Sequence, residues 1–454
     1  MMRGFTLSEL QSPLSARLVG PDREIHRVAT DSRAIQGGEL FVALSGERFD
    51  GHDYLPEVAA AGAAAALVSR EAQTSLPVLR TGDTQRALGL LGAYNRQQYH
   101  RPLVAITGSS GKTTAKNMVH AVLSTSGNTL ATQGNFNNEI GVPLTLLRLA
   151  PDTDYAVVEM GAAAAGDIAW LCQLGRPTVA LLLNAMPAHL EGFGSVDLVA
   201  AAKGEIFDDL GAQGCAVINA DQPWAGDWRA RAGAATVLDF GLVQPALISA
   251  KDVSHRGLDG SRFTAVTPAG ECTVHLCMPG LHNVANALAA IAVGLACELS
   301  LADISEGLSS VRPVQGRLAT ARTESGATVI DDCYNANPGS VSAAIDLLAS
   351  CDGRRTLLLG AMKELGERSE SLHREVGEYA LSAGIDQLWG VGPELREAVA
   401  AFGPGGRHFD SLESLVADLD EAFTEGDTVL IKGSRSAGME RALHTLLPDA
   451  ARGN

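Results

Sequence analysis

Leu103-Val104-Ala105-Ile106-Thr107-Gly108-Ser109-Ser110-Gly111-Lys112-Thr113-Thr114 is the stretch that decides the fold. An apolar, β-rich run stops at a glycine-serine loop, and a helical pattern opens at Lys112. That order is strand, phosphate cradle, helix. Backbone N–H groups of such a loop, and the positive end of the helix behind it, favour an anion. Gly108, Ser109, Ser110, Gly111, Lys112, Thr113 and Thr114 are therefore the candidate ATP-binding residues. Lys112 can reach the terminal phosphates, and the Thr113 hydroxyl can ligate Mg²⁺. The common form of the motif has a further glycine five residues before Gly111. Here that position is Ile106, so the cradle is a short one.

The alternation continues on both sides. Runs at 155–160, 179–184 and 215–219 are nearly all apolar, as strands buried on both faces should be. Helical spacing at 83–99, 196–210 and 282–295 separates them. The expectation is a doubly wound parallel sheet around the loop, with a small separate sheet over 263–278. Upstream, strands at 39–44 and 65–69 flank a helix at 54–61 with no phosphate loop. Downstream, strands at 328–332, 355–359, 387–391 and 428–431 alternate with helices at 340–348 and 373–383, a Rossmann-like pattern. No G-x-G-x-x-G follows its first strand, which argues against a dinucleotide. The fold class expected is α/β in three domains. Residues 1–82 form a small α/β binding domain, 83–313 a central P-loop ATPase domain, and 314–454 a C-terminal Rossmann-like domain.

Composition narrows the function. The chain has 454 residues, more than one core usually serves. A hydrophobic share of 46% and a charged share of 19% fit a soluble globular protein. The net charge of −17 argues against a nucleic-acid partner or an anionic membrane surface. An anionic substrate then needs local basic groups and metal ions. The seven cysteines are odd in number and form no C-x-x-C, so free thiols and a cytoplasmic location are expected. No apolar leader segment or stretch long enough to span a bilayer is found, so membrane insertion is not expected.

In open α/β sheets, ligands sit beyond the carboxyl ends of the strands. Three further residues of the central domain are candidates on that ground. Glu159 ends an apolar run and can reach a Mg²⁺ bound by Thr113. His189 follows the next strand, in Ala188-His189-Leu190-Glu191, and Lys203 lies on the helix after it, in Ala202-Lys203-Gly204.

These pieces occur in order with His282-Asn283, Gly316-Arg317-Leu318 and Asp331-Asp332. The set resembles the Mur ligases of bacterial peptidoglycan synthesis over roughly residues 30 to 441. Further stretches are similar to the branch of that family that adds a dipeptide: Thr30-Asp31-Ser32-Arg33, the run 41–52, Gly134-Asn135-Phe136-Asn137-Asn138, and Cys333-Tyr334-Asn335-Ala336-Asn337-Pro338. Branches that add one amino acid carry a His-bearing segment after the aspartate or a D-N-P-R loop, and this chain has neither. The resemblance implies ATP-dependent ligation of D-alanyl-D-alanine to UDP-N-acetylmuramoyl-tripeptide through an acyl phosphate, by a monomer whose domains close on the substrates. It implies two Mg²⁺ ions, with Thr113 and Glu159 near the first. The second would be held by His189 and by Lys203 carbamylated by CO₂, and Lys112, Lys203, His189 and Glu159 are the implied catalytic set. Asn283 would meet adenine, and Arg317 and Asp332 would close on the nucleotide from the third domain. Ser32, Arg33, Phe49 and Asn138 would hold the UDP-linked substrate, and Asn335 and Asn337 the D-alanyl-D-alanine. One departure stands out, since Ala361 replaces the aspartate that the family often carries after Gly360. Two alternatives remain open: another ligase of this architecture, either a single-amino-acid-adding Mur enzyme or a folylpolyglutamate synthase, and a nucleotide-gated binding protein.

Overall fold

The computed structural model describes residues 2–188, 190–419 and 422–448. The quoted stretch forms the strand Leu103–Thr107 and the helix Lys112–Ser124. The strand lies inside a six-stranded parallel sheet, between Val179–Leu182 and Tyr155–Glu159. Chain order reverses at this strand. Val179–Leu182, Cys215–Asn219 and Thr236–Phe240 run out to one side, and Tyr155–Glu159 and Thr129–Ala131 to the other. A crevice opens at the strand ends where order reverses, and the phosphate loop sits in it. Every residue of Leu103–Thr107 is buried, so the apolar run is explained by helices on both faces.

The helix Leu281–Ala296 covers one face and packs on the P-loop helix. Leu301–Ser310 packs there too, close enough that a Cβ on Gly307 would lie 2.6 Å from the Val122 Cα. The small sheet expected over 263–278 is antiparallel and starts earlier, as Ser249–His255, Ser261–Thr267 and Gly270–Leu276. Its first strand is mostly exposed, so it lacks the apolar signal that marks the others.

The N-terminal sheet has five strands, four of them parallel, with Arg17–Val19 antiparallel at one edge. The helix Thr84–Arg96 is shared. Ala87, Leu88 and Leu91 belong to the N-terminal core, while the same helix packs on Gly141–Leu146 and Asp167–Gly175 of the central unit.

The C-terminal sheet also has six strands. Thr328–Asp332, Thr428–Lys432, Arg355–Gly360, Gln387–Val391 and Gly406–Phe409 are parallel, and Ala319–Arg322 is an antiparallel edge. The parallel register sets Asp332 directly beside Lys432. Among the described residues, no helix is long and apolar enough to cross a membrane.

Candidate active site

A cavity of about 920 Å³ lies between the carboxyl ends of the central and C-terminal sheets. The phosphate loop is its floor. Gly111 takes a left-handed φ of 80° just before the helix, and a Cβ there would approach the Asn286 side chain to 3.0 Å. The loop is braced from the neighbouring strand end. Ser110 N donates to Asn184 Oδ1 at 2.9 Å, Asn184 Nδ2 donates back to Ser110 O at 3.1 Å, and Met186 N donates to Ser109 Oγ at 3.0 Å. Lys112 Nζ donates to Gly108 O at 2.7 Å, which curls the ammonium over the cradle. Burial lowers its pKa; Glu159 opposes that shift and Arg317 adds to it.

Glu159 is the hub of the central wall. It is 2% exposed, so each carboxylate oxygen needs a partner. Oε2 accepts from Thr113 Oγ1 at 3.0 Å and Oε1 from Asn137 Nδ2 at 2.8 Å. Lys116, one turn beyond Lys112, brings its ammonium to 3.8 Å from Oε2. Asn138 lines the same wall, its Oδ1 accepting from Gly141 N at 2.9 Å. Asn283 is buried at the other end of the floor, with Nδ2 donating to Pro279 O at 2.7 Å.

The C-terminal wall reaches across. Arg317 Nη2 donates to Thr113 Oγ1 at 3.0 Å, and its guanidinium lies 4.1 Å from the Tyr334 ring centroid. Gly316 and Leu318, at φ 76° and 61°, bracket this arginine in the left-handed region. That conformation is ordinary for glycine and costly for leucine. Asp332 Oδ2 accepts from Lys432 Nζ at 2.5 Å, and the same ammonium donates to Asn335 O at 2.9 Å. Burial raises the Asp332 pKa, with Lys432 pulling the other way. Asn337 caps the helix Pro338–Ala349, its Oδ1 accepting from Ser340 N at 2.9 Å.

Lys203 is 1% exposed on the helix Val196–Gly204. Burial, helped by Lys112, lowers its pKa to about 7. His189 lies outside the described residues. Ser32, Arg33 and Phe49 do not line the cavity. Arg33 forks onto Asp31 at 2.7 and 2.9 Å, and Phe49 is 57% exposed on the N-terminal unit. Ala361, where the family often carries an aspartate, is buried and also off the cavity wall. Among the described residues, no three His, Cys, Asp or Glu side chains cluster as a metal site. The oxygen donors expected for a cation are instead a hydroxyl and a single carboxylate.

Sequence reasoning passed over Lys116, Tyr334 and Lys432. For Lys432 a signal was available, a lysine at the end of an apolar strand in a sheet buried on both faces.

Comparison with known proteins bears on this geometry. Residues 24–94 match the family model described as the Mur ligase family catalytic domain. Residues 106–294 match the Mur ligase middle domain, and 316–435 the Mur ligase glutamate ligase domain. The UDP-N-acetylmuramoyl-tripeptide--D-alanyl-D-alanine ligase of Escherichia coli is 45% identical, covering 98% of this chain and 99% of its own length. The enzyme of that name from Bacillus subtilis is 34% identical over 97% of this chain and 98% of its own. A crystal structure of MurF from Acinetobacter baumannii superposes with a TM-score of 0.94 at 34% identity, covering 98% and 99% of the two chains. MurF from Thermotoga maritima in complex with ADP gives 0.83 at 29% identity, covering 94% and 98%. Three matched domains in sequence, a short P-loop faced by an arginine from the third, and likeness along the whole chain lead to one conclusion: this protein belongs to the Mur ligase family.

Proposed function

We propose that this chain joins D-alanyl-D-alanine to the tripeptide carboxylate of UDP-N-acetylmuramoyl-tripeptide, driven by ATP. The reading rests on the names of its relatives and on one observation. A single hydroxyl, Thr113 Oγ1, is shared by Glu159 of the central sheet and Arg317 of the C-terminal wall, in a cavity that Asn138, Asn335 and Asn337 also line. That is a site built to gather two anions and a third reactant.

A carboxylate is a poor electrophile. Transfer of the γ-phosphoryl group to a carboxylate oxygen releases ADP and creates a leaving group. The dipeptide amine then attacks the carbonyl carbon, gives up a proton, and phosphate departs with its bridging oxygen. Carboxylate and triphosphate repel each other until cations intervene. Lys112 and Arg317 supply positive charge from opposite walls, and positioning supplies much of the rest. Thr113 and Glu159 offer oxygen donors suited to Mg²⁺, which when bound would neutralise phosphate charge. At a pKa of about 7, Lys203 has a neutral amine fraction that can capture CO₂ as a carbamate and release a proton. The carbamate would be an anionic oxygen donor for a second Mg²⁺, with His189 as its companion. Asn283 would meet adenine and Asp332 the ribose side of the nucleotide. Ser32, Arg33 and Phe49 would hold the UDP part from the N-terminal unit once the domains close. The division into 1–82, 83–313 and 314–454 follows these roles. Both walls come from one chain, so a monomer suffices. Seven free thiols suit a reducing cytoplasm.

The test is phosphate release from ATP with UDP-N-acetylmuramoyl-tripeptide. The expected result is strict dependence on D-alanyl-D-alanine. Stimulation by a single amino acid, or by folate and glutamate, would overturn it.

A further inference from the structure

Lys116 stands where a lysine is costly. It is 4% exposed, lies near the positive end of its helix, and follows Lys112 by one turn on the same face. Burial lowers its pKa, and Glu159 counters that in part. An apolar residue would serve the helix better, so the ammonium must answer to something outside it. Its short bonds go to backbone carbonyls, Thr132 O at 2.9 Å and Gly134 O at 3.3 Å. Both begin the irregular segment 132–138, whose other backbone bonds are scattered: Thr132 N donates to Val157 O at 3.0 Å, and Asn137 O and Asn138 O accept from Gly161 N at 2.8 Å and Val142 N at 2.9 Å. That segment returns to Glu159 twice. Thr132 Oγ1 accepts from Glu159 N at 3.0 Å, and Asn137 Nδ2 donates to Oε1. Asn135, Asn137 and Asn138 then face the cavity. Lys116, segment 132–138 and Glu159 form a closed ring of contacts, one turn below the phosphate cradle.

We propose that Lys116 is a positioning residue that ties segment 132–138 and the Glu159 carboxylate to the P-loop helix, so that affinity for a divalent cation with nucleotide and affinity for the UDP-linked substrate are set together. The UDP-substrate half rests on the proposed function; the cation half does not.

Two variants test it. Lys116→Met keeps the aliphatic stem and loses charge and donors. Lys116→Gln keeps donors for the carbonyls and loses the charge beside Glu159. ADP binding is measured by calorimetry across a Mg²⁺ titration, and initial rates are measured against each substrate. In Lys116→Met, the Mg²⁺ concentration for half-maximal ADP binding should rise roughly tenfold or more, as when the outer support of a metal ligand is lost. KM for the UDP-linked substrate should rise alongside it, with KM for D-alanyl-D-alanine unchanged. Lys116→Gln should recover KM for the UDP-linked substrate better than the Mg²⁺ dependence. Equal changes in every constant, an unaltered Mg²⁺ titration, or failure of both variants to fold would each overturn the proposal in favour of a purely structural lysine. If the wild type shows no phosphate release dependent on D-alanyl-D-alanine, the proposed function fails, yet the ADP titration still decides the role of Lys116.

Discussion

On the central wall of the cleft a buried lysine stands 3.8 Å from its carboxylate and gives its short bonds to loop carbonyls. On the C-terminal wall a buried lysine makes a 2.5 Å pair with its carboxylate and then reaches a loop carbonyl. Both devices hold an asparagine-bearing segment against the cavity. They differ in what they leave the carboxylate free to do. Glu159 spends its oxygens on Thr113 and Asn137, groups that a cation or substrate can replace. Asp332 has its charge met at contact distance by Lys432, so its first duty is to the wall itself. The difference follows from the chain. Lys432 faces Asp332 across parallel strands, whereas Lys116 arrives from a helix and stops short.

If that contrast is right, removing the cations should hurt in different currencies. Lys432→Met should leave Asp332 buried and unpaired, lowering stability by about 3–5 kcal/mol in urea unfolding. Lys116→Met should cost visibly less. Equal losses would break the comparison. Glu159→Gln should instead lower kcat by about 10²–10³-fold, the scale of losing one preorganised charge contact, with a small change in melting temperature. Arg317→Lys keeps the charge but loses both the Thr113 bond and the flat stack on Tyr334; kcat/KM should fall about tenfold. Lys203 sharpens the picture by pH. A pKa of about 7 means the neutral amine grows as pH rises. At a fixed free bicarbonate concentration, the ¹³C carbamate signal should therefore increase about fivefold from pH 6 to 7. Removing the neighbouring cation, in Lys112→Met, should move that rise to higher pH. The smallest effect is at Asn337. Replacing this cap by alanine should cost about 1 kcal/mol, while Asn337→Asp keeps the cap. A raised KM for D-alanyl-D-alanine in the aspartate variant would separate ligand contact from capping.

The P-loop and the strands 215–219, 328–332 and 387–391 were legible because the period of their apolar residues is local. The candidate site was legible where motif and strand end coincide, at Thr113 and Glu159, which line one cavity; Asp332, on the same cavity, entered only through the family resemblance. Lys116 was not. Its burial depends on carbonyls 16 and 18 residues away in a segment with no periodicity. Nor does sequence reveal that Ser32, Arg33 and Phe49 stand off the cavity, because the approach of one domain to another leaves no pattern in either. Asn337 was expected as a ligand contact, and in the structure it is also a helix cap, which accounts for one of its two amide atoms.

Leu318 holds its backbone at φ 61°, in the left-handed region, while its side chain is buried in the core. Glycine there would relieve about 1–2 kcal/mol of backbone strain. It would also empty a leucine site worth about 2–5 kcal/mol and free the backbone beside Arg317. The side chain that strains the turn is therefore also the anchor that fixes it, so stability and the aim of Arg317 are held by one residue rather than traded against each other.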